Sequence, residues 1–582
     1  MLKGATAVAL LMSAAMILGG SVAVAEARAP VTVSPQAGTK SASIWSEISF
    51  RGIAGSRAGT ITVRGERSGR HRYRRRPHSD GHGFSLVMRR PFMKSEGVTV
   101  KTGLAIPGGT RGKFRFRVEN LGAPRLKRKR QKGHLKRGGS VVFRSRPDLR
   151  PFTLKVRVNK AAASDDAIFI GSKKRGNAIF DSEGKPIWFK PMRSTDFRTQ
   201  TYRGKPVLTW FQAPTRGSGV KRPSYVIADR RYRVIKRLTP GNGYTADSHE
   251  FRLTTRNTAY VTSFRTVRRN LRPLGLRGSN KVADSIAQEI DLKTGRVIWE
   301  WHSLDRVPLR RSYARKVRPG NPFDYFHINS VIDTPDGNVL VSGRSTHAVY
   351  KINRRTGHIM WSLGGKRSSF KLGRRARFSW QHDAEPLSGD RISLFDNGDA
   401  PVARRPWAGQ SRGLILHLDK GRKRATVARQ YFHPRRPLAP TQANLESLPD
   451  GNVFIGWGAR PLISEYTANG KLVFDARVQG AYAFYRAYRL PWTGLPRHRP
   501  AIETRSGKDA TAAWVSWNGD TRVVRWRALS GFRPTDLHPA TTRRRTGFET
   551  KLRLRNQDPY VRIVGLDASG QVIGKSRTVI AR

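Results

Sequence analysis

Asp291-Leu-Lys-Thr-Gly295-Arg-Val-Ile-Trp299 reads as a tight turn closed by glycine and followed by a short strand that ends on an aromatic residue. The pattern recurs at Asp181-Ser-Glu-Gly184-Lys-Pro-Ile-Trp188, Asn353-Arg-Arg-Thr-Gly357-His-Ile-Met-Trp361 and Thr467-Ala-Asn-Gly470-Lys-Leu-Val-Phe474. Weaker copies are Asp229-Arg-Arg-Tyr-Arg-Val-Ile235 and Asp419-Lys-Gly421. Each long interval between clear copies holds one weak copy, so the unit is about 55–60 residues. A unit of that size built from short strands is a propeller blade with elaborated loops, and six copies predict six blades. No apolar stripe of helical period is long enough for a helical solenoid. Asp336-Gly-Asn338 and Asp450-Gly-Asn452 lie between apolar runs and mark hairpin turns.

The repeat fills 159–492. Residues 30–158 hold short strand-like runs separated by Gly, Pro and Ser, among them Gly59-Thr-Ile-Thr-Val-Arg64, Phe114-Arg-Phe-Arg-Val118 and Leu154-Lys-Val-Arg-Val158. Residues 493–582 return to the same texture in Ala513-Trp-Val-Ser-Trp517, Thr521-Arg-Val-Val-Arg-Trp526 and Tyr560-Val-Arg-Ile-Val564. The expected fold class is therefore all-β: a six-bladed β-propeller flanked by N-terminal and C-terminal β-sandwich (Ig-like) domains.

Residues 1–29 read as an export signal, with Lys3 ahead of an apolar, small-residue run from Ala5 to Val24 and small-x-small cleavage patterns near Ala25 and Ala27. After cleavage no membrane span is expected, and the location is secreted or bound to the cell envelope. The chain has no Cys, which excludes disulfides, thiol chemistry and Cys-ligated metal. The formal charge is +71. Residues 51–150 hold 28 Lys/Arg against 5 Asp/Glu, densest in Arg125-Leu-Lys-Arg-Lys-Arg-Gln-Lys-Gly-His-Leu-Lys-Arg137. No nucleic-acid-binding motif accompanies this charge, so no nucleic-acid partner is expected. The charge reads as adhesion to an anionic cell-envelope polymer or as plain adaptation to the medium, and the field would also draw in small anionic substrates.

Three copies of the repeat carry a histidine at one phase: Asp247-Ser-His249-Glu-Phe, Tyr325-Phe-His327-Ile-Asn329 and Trp380-Gln-His382-Asp-Ala. A fourth, Thr441-Gln442-Ala-Asn444, has Gln there. Equivalent positions in a radial repeat converge on one axis, so the three imidazoles are expected to ring the mouth of the central channel. Arg344 falls just past the strand after His327. Asn329 lies two residues after His327, on the same face of an extended segment. Imidazoles, a guanidinium and an amide suit a tetrahedral oxyanion ester. Asp383 points to the other side of an extended strand and stays outside this set. Phe326, Trp380, Tyr482 and Tyr485 are read as core aromatics before phenyl-stacking ones.

The ordered set Phe323-Asp-Tyr-Phe-His-Ile-Asn-Ser330, Gly337-Asn-Val-Leu-Val-Ser-Gly-Arg344, Ile359-Met-Trp-Ser-Leu-Gly-Gly365, Phe378-Ser-Trp-Gln-His-Asp-Ala384 and Ile392-Ser-Leu-Phe-Asp-Asn397 resembles the arylsulfotransferase family. Its divergent branch, common in exported actinobacterial proteins, is nearer than the enterobacterial periplasmic enzymes, which carry a disulfide. The resemblance implies a six-bladed propeller that moves a sulfuryl group from a small aryl sulfate donor to a phenolic acceptor. It implies a ping-pong route through a sulfohistidine, with no nucleotide sulfate donor and no cofactor. By motif, His382 would be the nucleophile, His327, Asn329 and Arg344 would hold sulfate oxygens, and His249 would move the proton at the phenolic oxygen. Sulfuryl transfer, like phosphoryl transfer, spreads charge over equatorial oxygens, which asks for such donors.

Two other functions and a metal site are weighed against this. Three His can hold zinc with an open position, although no closely spaced His pair supports that and Arg344 adds positive charge. A non-catalytic propeller binding an anionic envelope polymer or sulfated ligand has no need of three phased histidines. A quinone-dependent dehydrogenase shares blade turns ending in Trp, but no site for its cofactor is legible.

Overall fold

The structure is a computed structural model that describes residues 31–119, 141–214, 222–276, 280–314, 320–398, 410–480 and 483–581. The expected export signal, the basic run 125–137 and Tyr482 lie outside the described residues. The protein is all-β. Among the described residues no helix is long and apolar enough to cross a membrane.

Six sheets follow one another from Thr153 to Leu490 among the described residues, antiparallel except where Lys371–Leu372 pairs with Arg424–Tyr431. Each repeat turn joins the third and fourth strands counted outward from the ring's centre, as at Asp291–Gly295 between Lys281–Asp291 and Val297–His302. Gly295 and Gly357 both sit at φ 70°, the left-handed conformation that the turn requires and glycine adopts without strain. The inner strands are Ser194–Tyr202, Ala246–Leu253, Ile328–Asp333, His382–Leu387, Asn444–Ser447 and Ala487–Leu490. Each contacts the next, and Ala487–Leu490 contacts both Asn444–Ser447 and Ser194–Tyr202, so the series closes into a ring.

Sheets stacked face to face bury their middle strands on both sides. That is why Ala167–Ser172, Ser224–Ala228 and Val339–Gly343 read as unbroken apolar or small runs and are buried at every position. The flanking units behave differently. Lys113–Arg117 alternates exposed cation with buried Phe114 and Phe116, the signature of a sheet with one wet face. Burying each of those phenyl rings contributes about 1.5–3 kcal/mol. In residues 31–119 two four-stranded sheets share a core of Phe50, Val63, Phe84, Val100, Phe114 and Phe116. In 501–580 two further sheets share Ile502, Val515, Trp526, Leu552 and Ile563.

One expected boundary moves. Thr153–Asn159, expected in the N-terminal unit, instead pairs with Leu472–Gln479 and completes the last sheet of the ring. The reason is apolar: Phe143, Leu149, Phe152 and Leu154 pack into one cluster with Phe180, Phe454 and Phe474. Ala487–Leu490 likewise completes the first sheet by pairing with Ala167–Ser172. Segments from both ends of the repeat thus close the ring.

The flanking units are fastened to the ring by polar contacts. On the N-terminal side, Ser79 donates to Asp291 from main chain and side chain at 2.6 and 2.9 Å, and Arg265 donates to the Ser41 carbonyl at 2.6 Å. On the C-terminal side, Asn518 exchanges two hydrogen bonds with the Phe189 main chain at 2.9 and 3.0 Å.

Candidate active site

Four of the six inner strands are irregular at one shared place. Pairing with the second strand breaks between Thr195 and Arg198, Ala246 and Phe251, Ile328 and Ser330, and His382 and Glu385. Asp196, His327 and Asp383 there have φ of 54°, 55° and 56°. Such bulges re-aim side chains and suspend the in–out alternation of a strand. His249 lies within such a break, His382 opens its strand, and His327 immediately precedes its own.

His249 and His327 form one half of the site. Their rings meet edge to face with centroids 4.7 Å apart. Each is backed by a carboxylate at Nδ1: Asp247 Oδ2 at 2.5 Å for His249, and Asp324 Oδ2 for His327. Burial alone would raise Asp247, but the charge and hydrogen bond of His249, with bonds from Ser248 and Thr262, bring it down to about 2. Asp324 is lowered for the same reason, His327 outweighing its burial. Both acids are therefore carboxylates that fix Nδ1–H on their histidine and leave Nε2 to take or give a proton. Burial lowers His327 despite Asp324, which makes its Nε2 a free base near neutrality.

His382 is built otherwise. It is 1% exposed. Its Nδ1 lies 2.8 Å from Asn397 Oδ1 and 3.0 Å from the Trp380 carbonyl, both acceptors. The main-chain N–H of Gln442 donates to Nε2 at 3.2 Å. An imidazole between those partners carries its proton on Nδ1 and a lone pair on Nε2. Burial, then the Arg344 charge, push His382 well below the usual histidine range. A neutral Nε2 lone pair is what a histidine nucleophile needs. Gln442, at φ 68°, thus turns its main chain rather than a ring toward the site.

Arg344 supplies the cation. Its guanidinium stacks over Trp380 at 4.4 Å, and its main-chain N–H donates to the His327 carbonyl at 3.0 Å. Its charge bears on His382, His327 and Asp324 alike.

Asn329 departs from expectation. It does not share a face with His327, because the positive φ at His327 and the bulge at Ile328/Ser330 turn the chain. Asn329 is fully buried, and its amide donates to the Gln381 carbonyl at 2.7 Å, directly behind His382. Phe326 lies in the core. Tyr485 sits at the site, its ring 5.5 Å from His249. Below the histidines Arg486, fully buried, holds Asp383 at 3.0 Å and donates to the Asn329 carbonyl at 2.8 Å. Burial lifts Asp383 to about 7 although Arg486 opposes it. No group of three or more His, Asp or Glu among the described residues is arranged to hold a metal ion.

The family model for arylsulfotransferases matches residues 198–479, the stretch that carries all of these side chains except Arg486, Tyr485 and Asp196. Residues 198–479 belong to the arylsulfotransferase family. The family's general activity, transfer of a sulfuryl group between an aryl sulfate donor and a phenol, accounts for the kind of groups gathered here. Among curated proteins, none matches the sequence. Among solved structures, the chain is similar to a protein of unknown function from Bacteroides caccae at 15% identity, covering 56% of this chain and 98% of that one, TM-score 0.34. An auxiliary nutrient binding protein from Bacteroides ovatus is 12% identical over 77% of this chain and 98% of its own, TM-score 0.30. Virginiamycin B lyase from Staphylococcus aureus is 10% identical over 71% and 96%, TM-score 0.23.

Asn397, Asp247, Asp324 and the Gln442 N–H of this arylsulfotransferase region were outside the expected site. The signal for Asn397 was its phase: it stands just past the second strand of its sheet, as Arg344 does in the sheet before. The two acids stand two and three residues ahead of their histidines.

Proposed function

We propose that the six sheets are the blades of a propeller, flanked by two β-sandwiches, and that its channel mouth is the site of an exported aryl sulfotransferase. The reaction runs by ping-pong through a sulfohistidine on His382, without nucleotide sulfate donor or cofactor. The observation that carries this is the setting of His382, buried with Asn397 Oδ1 at Nδ1 and the Gln442 N–H at Nε2, in one site with Arg344 and two histidines backed by carboxylates.

In the first half-reaction the Gln442 N–H gives up its hydrogen bond to Nε2, the freed lone pair attacks sulfur, the N–S bond forms, and the S–O bond to the aryl group breaks. The leaving oxygen takes a proton from His249. In the second half, His249 removes the proton from the acceptor phenol, the new S–O bond forms, and the N–S bond breaks. Arg344 offsets charge on the transferring oxygens, where fixed donors are worth most, and His327, a free base at rest, joins it only when its Nε2 is protonated. Asn329 holds the main chain behind the nucleophile. The basic surface draws in the anionic donor and holds the protein to anionic envelope polymer.

Incubating mature protein with 4-nitrophenyl sulfate and a phenol, beside His382→Ala, tests the proposal. Nitrophenolate release that needs the acceptor, yields sulfated phenol and is lost in His382→Ala is the expected result. No release from several aryl sulfates by folded protein would overturn it in favour of a binding module.

A further inference from the structure

All three histidines of the site present Nδ1 to an oxygen, but the oxygens differ in kind. His249 and His327 face carboxylates, whereas His382 faces the amide oxygen of Asn397. Asn397 is fully buried. Its Nδ2 donates to the carbonyls of Ala439 at 2.7 Å and Gln442 at 3.0 Å. Two carbonyls on one side fix which end of the amide is nitrogen, so Oδ1 must face the imidazole. The Ser411 hydroxyl donates to the Asn397 carbonyl at 2.6 Å and anchors its main chain. Gln442 then closes a cycle: its carbonyl receives Asn397, and its N–H reaches His382 Nε2.

We propose that Asn397 is a positioning residue that makes Nε2 the reacting nitrogen of His382 and, being a neutral amide, keeps the sulfated imidazole ready to pass its group on. This rests on reading the site as one of sulfuryl transfer. The chemistry follows from charge. Sulfation at Nε2 with Nδ1–H retained gives the ring a positive charge. A carboxylate at Nδ1 would stabilise that ring and slow N–S cleavage, as it would also favour simple protonation of free His382. An amide accepts the same hydrogen bond without the negative charge, so the covalent form stays reactive. Carboxylates stand where protons must be gained and lost, and the amide stands where a group must be gained and lost.

The charged and titratable groups facing His382 are Arg344, His327 and His249, all of which disfavour its protonation; Asp383, next in the chain, is turned away to Arg486. Asn397→Asp therefore introduces the one negative charge at this ring.

The test uses full-length protein with ¹⁵N-labelled histidine. In wild type, the His382 signals should show Nδ1–H with an unprotonated Nε2, unchanged as pH falls through the ordinary histidine midpoint of about 6.5. In Asn397→Asp the protonation midpoint of His382 should rise, the acid limb of kcat/KM should move to higher pH, and discharge of the sulfated enzyme to phenol should slow about tenfold or more. A wild-type His382 bearing its proton on Nε2 would overturn the inference whatever the variant does. So would an Asn397→Asp enzyme with unaltered pH profile and unaltered discharge rate. The expected wild-type tautomer without turnover of any aryl sulfate would sink the proposed function and the onward-transfer half of this inference, while leaving Asn397 as the residue that sets the ring.

Discussion

Arg344 and His249 are the residues whose removal separates charge stabilisation from proton transfer. Arg344→Ala should lower kcat/KM by about 10²–10³ for every aryl sulfate, since sulfuryl oxygens are common to all donors. Arg344→Lys should recover little of this, because a point charge replaces a planar fork. His249→Ala should behave differently: steady-state rates with a poor leaving group such as phenyl sulfate should fall by about 10²–10⁴, while 4-nitrophenyl sulfate, whose phenolate leaves unaided, should lose far less in its first half-reaction. Equal losses for both donors would contradict a proton-donor role. Much of this site was legible in the chain, because three histidines keep one phase of a visible repeat and Arg344 falls just past the strand after one of them. What was not legible follows from the bulges. Alternation placed Asn329 beside His327, but a residue at positive φ cancels alternation, and nothing in Phe-His-Ile-Asn announces that φ. Asn397 was hidden because its partner lies 15 residues away across a strand pair.

At the scale of elements, the repeat turns were legible because their Gly and Asp have one conformational use, and those at Gly295 and Gly357 lead into strands carrying the expected aromatic residues, Trp299 and Trp361. The closing strand Thr153–Asn159 was misplaced because its sequence reads equally well as a sandwich strand, and only its partner Leu472–Gln479 decides its sheet. Phe152, fully buried beside Phe180 and Phe189, should on truncation to Ala cost about 3–5 kcal/mol, read as a lowered unfolding midpoint with an unchanged denaturant slope. His302 ends the strand Val297–His302 against the N-terminal unit, with Asp284 at 2.7 Å and Glu300 at 2.9 Å. Burial opposes its charge, but the two carboxylates win and raise it to about 10. A raised folded value gives stability that is whole below the ordinary histidine midpoint of about 6.5 and is lost as pH climbs through about 10. The melting temperature should therefore fall across that window. His302→Gln should melt lower at pH about 6.5, where two buried carboxylates lose their cation, and should show a flatter fall toward pH about 10. A variant that melts in parallel with wild type across the whole window would contradict the assignment.

At the scale of the molecule, the charge of +71 is a field as well as a composition. It should raise capture of an anionic donor, so kcat/KM should fall as salt is added while kcat holds, and a neutral acceptor should show no such dependence. The fold sets His382 on the innermost strand of one sheet in a closed series and fastens two further pairs of sheets outside it. The central claim is that a sulfuryl group rests on His382 between donor and acceptor. Intact-mass and peptide analysis of protein mixed with 4-nitrophenyl sulfate in the absence of phenol tests it most directly. The account predicts one added SO₃ on the peptide holding His382, absent in His382→Ala and discharged when phenol is added. Turnover without any such adduct, or an adduct on another residue that phenol discharges at the catalytic rate, would contradict it.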